Sequence, residues 1–123
     1  MQAWIFQGNP DYFNINEYLK SYNEIYWSVT HKTHQESIKI GDPVFIWRAM
    51  GSKKSISGIV AYGEVSELCK PKSQVNKPEL LSEKLWKDDS KEKTEIKAGV
   101  ILKEVRITPS DGMLTSEQII LHE

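Results

Sequence analysis

The stretch VFIWRAMGSKKSISGIVAYGEV, Val44 to Val65, restricts the fold more than any other part of the chain. Two runs of apolar, strand-forming residues enclose Gly51-Ser52-Lys53-Lys54-Ser55, which is turn chemistry, so the segment predicts a β-hairpin. Gly58 and Gly63 in the return strand suit bulges or tight corners, which predicts a strongly curved sheet. A hairpin needs only its turn. It does not explain why Trp47 and Arg48 stand side by side at the mouth of the loop.

The flanking segments fill in the sheet. Ala3–Gln7 reads as a short aromatic strand, ended by the breakers Gly8-Asn9-Pro10-Asp11. Asn14 is a cap for a short helix whose apolar positions 15, 18, 19 and 22 share one face. Ile25–Thr30 alternates as a strand and leads into a polar loop, HKTHQES. Residues 66–98 form a long polar excursion, with Pro78–Trp86 as a helix carrying proline in its first turn. Gly99–Ile107 is a strand and Pro109-Ser110-Asp111-Gly112 a turn. Thr115-Ser116-Glu117-Gln118 has the capping-box pattern of one more helix. The expected class is α+β: a small, curved, mostly antiparallel sheet or barrel with peripheral helices. Length predicts one domain over residues 1–123. A capped helix cut after about two turns is what excision from a longer polypeptide would leave.

Composition narrows the function classes. A net charge of −1 argues against coating nucleic acid by bulk electrostatics. Residues 31–58 nevertheless carry five bases (Lys32, Lys39, Arg48, Lys53, Lys54) against two acids, either a solvated lysine-rich loop or a local phosphate grip. No run of about 18 apolar residues exists, so no membrane partner is expected. The single Cys69 and the polar turn of the N-terminal segment by Gln7 fit a cytoplasmic location.

Catalytic patterns are missing. There is no Walker or GxGxxG fingerprint, and Cys69 has no base motif beside it. His31, His34 and His122 lack metal-ligand spacing, and Asp88-Asp89 sit in the most polar stretch of the chain. The sequence therefore predicts a binding module, not an enzyme, with no metal and no cofactor. Aromatic residues with polar neighbours are what it has in excess: Trp27-Ser28, Trp47-Arg48 and Trp86-Lys87, from four tryptophans. Any one of them could fill the core, whereas three together suggest a cage. Adjacent strand residues face opposite ways, so Ser28 would serve beside Trp27 through its backbone.

The series WIFQGNPDYFNI, YWSVTHK, IKIGDPVFIWRA and SGIVAYGEV resembles the EVE domain, a PUA-like fold related to YTH domains, from Trp4 to about Ile107. The resemblance implies a curved PUA-like barrel with a pocket for a flipped, modified base. It also implies a link to Mcr-type modification-dependent restriction proteins, where such a domain is the specificity module beside a motor or nuclease. By likeness to YTH cages, Trp27-Ser28 and Trp86 would hold the base, Trp47 would line the pocket, and Asn14 and Asn16 would bond the base edge. Arg48, Lys53, Lys54 and Lys32 would then hold phosphates. The expected function is reading of a methylated adenine or cytosine in DNA. A reader of modified RNA and a small-molecule, nucleoside or methylated-side-chain pocket are the alternatives.

Overall fold

The structure is a computed structural model that describes residues 2–50, 57–81 and 96–115. Its sheet contains β1 (Trp4–Gly8), β2 (Glu24–Ser28), β3 (Pro43–Arg48), β4 (Gly58–Pro71), β5 (Ile96–Val105) and β6 (Leu114–Thr115). The strand order is β1-β3-β4-β5-β2, with β6 paired to β4. β1 runs parallel to β3, and every other pairing is antiparallel. This is the α+β, PUA-like half-barrel that the sequence predicts.

The hairpin forms as β3 and β4, with Val44 opposite Gly63 and a register shift between Ile46 and Trp47. Its turn, with Lys53 and Lys54, lies outside the described residues. β4 continues to Pro71, past the Val65 where alternation fades, and shifts register against β5 at three places. Such bulges bend a long strand and increase its twist, which curls the sheet around its core. The inner face is aliphatic: Val44, Ile46, Val60, Val65 and Val100 are essentially inaccessible to solvent. Each such side chain contributes about 1.5–3 kcal/mol by leaving water.

Helix α1 (Ile15–Ser21) begins where expected, with Asn14 Oδ1 accepting from Glu17 N at 3.3 Å. Ile15, Tyr18 and Leu19 are buried against the sheet. The segment read as a polar loop is instead helix α2 (Lys32–Ser37). None of its residues is buried, so no apolar periodicity marked it. Local bonds hold it: Gln35 Nε2 donates to Val29 O at 2.6 Å and Ser37 Oγ to Thr33 O at 2.8 Å.

Two other helix expectations reach beyond the described residues. Pro78–Leu81 is a single 3-10 turn, and the rest of that segment, Trp86 included, lies outside the described residues. Thr115 pairs with Gly58 in β6, and the helix expected after it lies at 116–123, outside the described residues. Among the described residues no helix is long and apolar enough to cross a membrane.

Candidate functional site

The sheet ends in two strands that do not pair, β1 and β2, and the space between them is a cavity of about 720 Å³. That volume falls within the range of small-molecule sites, roughly 300–1,000 Å³. Trp27 spans part of the gap. Its Nε1 donates to Gln7 O on the facing edge at 3.2 Å, so one indole replaces a ladder bond. The approach is close enough to require glycine at position 8, where an added Cβ would lie 2.8 Å from both Trp27 Cζ2 and Ile15 Cδ1.

The cavity walls are largely aromatic. Trp4, Phe6, Tyr12, Phe13, Trp27 and His34 all line it. Trp4 is fixed by its own network, with Nε1 donating to Asp42 Oδ2 at 2.9 Å, while Lys39 N donates to the same oxygen at 3.0 Å. These donors, the indole above all, hold the Asp42 carboxyl below the ordinary aspartate range. At the mouth, Trp4 meets His34 edge to face at 5.4 Å, and His34 meets His31 at 5.2 Å.

Polar groups enter from the far side of β2. Alternation turns Trp27 inward and Ser28 outward, and the cavity reaches around the open edge so that both residues line it. Ser28 is paired directly with Lys97 of β5, and Lys97 Nζ donates to Ser28 Oγ at 2.8 Å. Lys97 is 5 % exposed and lines the cavity. Among the described lining residues there is no aspartate or glutamate.

A second network anchors the excursion beside this edge. Tyr26 Oη donates to buried Glu67 Oε1 at 2.7 Å, and Lys77 N donates to Tyr26 Oη at 3.0 Å. Asn76 N completes the set by donating to Glu67 Oε2 at 3.2 Å. Burial first, then the Glu67 carboxylate, pushes the Tyr26 phenol up to about 12. Tyr18 Oη accepts from Tyr26 N at 2.8 Å and donates to Leu80 O, holding the 3-10 turn whose Leu81 lines the cavity.

The residues singled out from sequence are thus partly separated. Trp27 and Ser28 come together at the cavity. Trp47 is half-buried on the outer face, opposite Gln7 and Ile59, and is not among the described lining residues. Alternation accounts for this, because Ile46 and Arg48 take the inner face. Arg48 is 5 % exposed, with Nη1 donating to Asn16 Oδ1 at 2.8 Å and Nη2 facing Met113 Sδ at 3.6 Å. Its guanidinium ties α1 to the end of the sheet instead of standing at a rim. Asn16 Oδ1 serves that tie and Asn14 Oδ1 the helix cap, and neither residue is among the described residues that line the cavity. Lys32 is exposed on α2, beside the two histidines of the mouth. Trp4 and Lys97 escaped the sequence reading: the first has no polar neighbour in line, and the second hid in a lysine-rich stretch.

Residues 2–119 match the EVE domain family. The chain belongs to the EVE domain family. The solved structures that share its fold include human THYN1 in complex with 5-methylcytosine-containing DNA, at 12% identity and TM-score 0.62, covering 99% of this chain and 75% of that one. The DUF55 domain of human thymocyte nuclear protein 1 matches at 12% identity and TM-score 0.60, covering 98% and 74%. A hypothetical protein from Leishmania major matches at 20% identity and TM-score 0.58, covering 97% and 73%. No curated protein matches the sequence.

Proposed function

We propose that this EVE domain is a non-catalytic reader of a modified base in DNA, taking the flipped base into the cavity between β1 and β2. The observation that carries the reading is the cavity itself: aromatic walls with the polar side chain of Ser28 beside them, and no carboxylate among the described lining residues. A base has a π face that stacks on aromatic side chains, worth about 1–3 kcal/mol per base, and an edge that needs hydrogen-bonding partners. Extrusion from a duplex costs a few kcal/mol, which stacking and phosphate contacts offset. The human THYN1 complex, which shares the fold, supports DNA carrying a modified cytosine as the ligand class.

The same chemistry disfavours a cage for methylated lysine. A cation held over aromatic faces gains from nearby carboxylates, and none of the described lining residues carries one. Within this reading Trp27 and Trp4 are the aromatic walls and Ser28 a polar contact. Lys32, on the exposed face near the mouth, joins Lys53 and Lys54 in holding phosphates. Family resemblance extends the reading to a cytoplasmic specificity module acting with a separate motor or nuclease. The test is binding of the domain to one short duplex bearing 6-methyladenine, 5-methylcytosine, 5-hydroxymethylcytosine or no mark, over a series of salt concentrations, with the matching RNA alongside. A preference for one mark, with affinity falling as salt rises, is expected. Equal binding of all duplexes, or tighter binding of the RNA, would refute it.

A further inference from the structure

His31 and His34 stand at the cavity mouth with their ring centres 5.2 Å apart, and His34 lies edge to face on Trp4 at 5.4 Å. Both are exposed, as is Lys32 between them, and their backbone carbonyls accept from Gln35 N and Ile38 N. Among the described residues no hydrogen bond or ion pair engages either imidazole or the Lys32 ammonium. The charged groups around the pair are occupied elsewhere or face solvent. On α2 itself these are Lys32 and Glu36, both exposed. Behind Trp4, the Asp42 carboxylate accepts from the indole and from Lys39 N. Tyr12, Tyr26 and Lys97 are the titratable groups among the other described lining residues. On β4, against which α2 packs, Glu67 is turned to Tyr26 and Asn76, Lys70 to Asn76, Glu64 lies opposite Pro43, and Cys69 packs on the core.

We infer that His31 and His34 clamp a phosphodiester beside the flipped nucleotide as imidazolium ions, so that the domain takes up protons when it binds DNA. This rests on the base-reader reading above and concerns how that same site holds the backbone. A neutral imidazole offers one donor and one acceptor, whereas its cation offers two donors, and the anionic oxygens of a phosphodiester only accept. An arriving phosphodiester therefore favours the charged form of both rings and offsets the repulsion between them. Imidazole is the side chain whose charge ordinarily changes between pH 8 and pH 5, so the clamp is graded over that range, while a lysine ammonium keeps its charge across it. Holding His34 also holds the ring that packs on Trp4, which couples the backbone contact to an aromatic wall of the cavity. Because the bound state carries more protons, affinity rises as pH falls and is lost as pH rises.

The test measures binding of the whole chain to a short duplex bearing one 5-methylcytosine, and to its 6-methyladenine and unmodified counterparts, by fluorescence anisotropy at pH 8, 7 and 6 and one ionic strength. The wild type is expected to bind its preferred duplex on the order of tenfold more tightly at pH 6 than at pH 8. The double variant His31→Asn, His34→Phe should lose that gain. Phenylalanine keeps a ring against Trp4, so what is removed is the imidazole nitrogens, and α2 has no buried residue for the changes to disturb. In carbon-13 NMR of the wild type, both imidazoles should stay protonated to higher pH with the duplex bound than without it. A mark preference with affinity flat across the pH range, or a pH dependence that survives in the double variant, overturns the clamp and leaves the base-reader reading intact. A wild type that distinguishes no mark and is flat in pH overturns both.

Discussion

The paired side of the sheet and its open seam are built from different hydrophobic chemistry. Along β3, β4 and β5 the inner face is aliphatic, with Val44, Ile46, Val60 and Val100 each at 0 % exposure. At the seam between β1 and β2 the walls are aromatic, and a cavity remains. The difference is physical. β-branched side chains fill the interior of a continuous ladder without leaving polar atoms unpaired. An indole can reach across a gap that no ladder closes and bring a donor to satisfy the opposite edge, as Trp27 does at Gln7 O. Stability should therefore reside on the paired side, and recognition at the seam.

The largest test of that division is Ile46→Ala. Truncating this inaccessible side chain should cost about 2–5 kcal/mol in chemical denaturation and leave the mark preference of the folded protein unchanged. Gly8→Ala attacks the seam instead. Its Cβ would displace Trp27 and Ile15, so a smaller loss of about 1–3 kcal/mol should come with loss of modified-base binding. A Gly8→Ala protein that binds as before would mean that Trp27 is not a wall of the site.

Arg48→Lys sharpens the comparison at the end of the paired side. Losing the bonds to Asn16 and Met113 should cost about 1–3 kcal/mol, with affinity for unmodified DNA unaffected. A uniform drop in DNA affinity would return Arg48 to the phosphate contacts. The smallest effect is pH-dependent. Because the Asp42 carboxyl is held below its ordinary value of 3.8 in the folded protein, its stabilisation is present above that pH and is lost as pH falls through the lower, folded value. Melting temperatures measured from pH 7 to pH 3 should decline less at the acid end for Asp42→Asn than for the wild type.

Much of the paired side was legible in the sequence, and the seam was less so. The hairpin, the Asn14 cap and the curvature implied by Gly58 and Gly63 are local signals, and each has its counterpart in β3, β4 and α1. The parallel pairing of β1 with β3 is not local, because it joins residues some forty positions apart without a turn to mark it. Helix α2 lacks a buried face and so carried no periodic signal. At the site, aromatic excess pointed to Trp27, but adjacency to a polar residue was the wrong criterion for choosing its partners. It selected Trp47, which alternation turns outward, and passed over Trp4, whose polar partner Asp42 is thirty-eight positions away. Arg48 looked like a surface cation because it adjoins a lysine-rich loop, yet the strand period puts it inside. Lys97 gains its meaning only from the β2–β5 register that sets it opposite Ser28.

The most direct measurement is nitrogen-15 NMR of the tryptophan indoles during titration with a duplex carrying 5-methylcytosine and, separately, its unmodified counterpart. The account predicts that the Trp4 and Trp27 indole resonances shift with the modified duplex and stay in place with the unmodified one. Unmoved Trp4 and Trp27 signals, with the change confined to the Trp47 indole on the outer face, would contradict it.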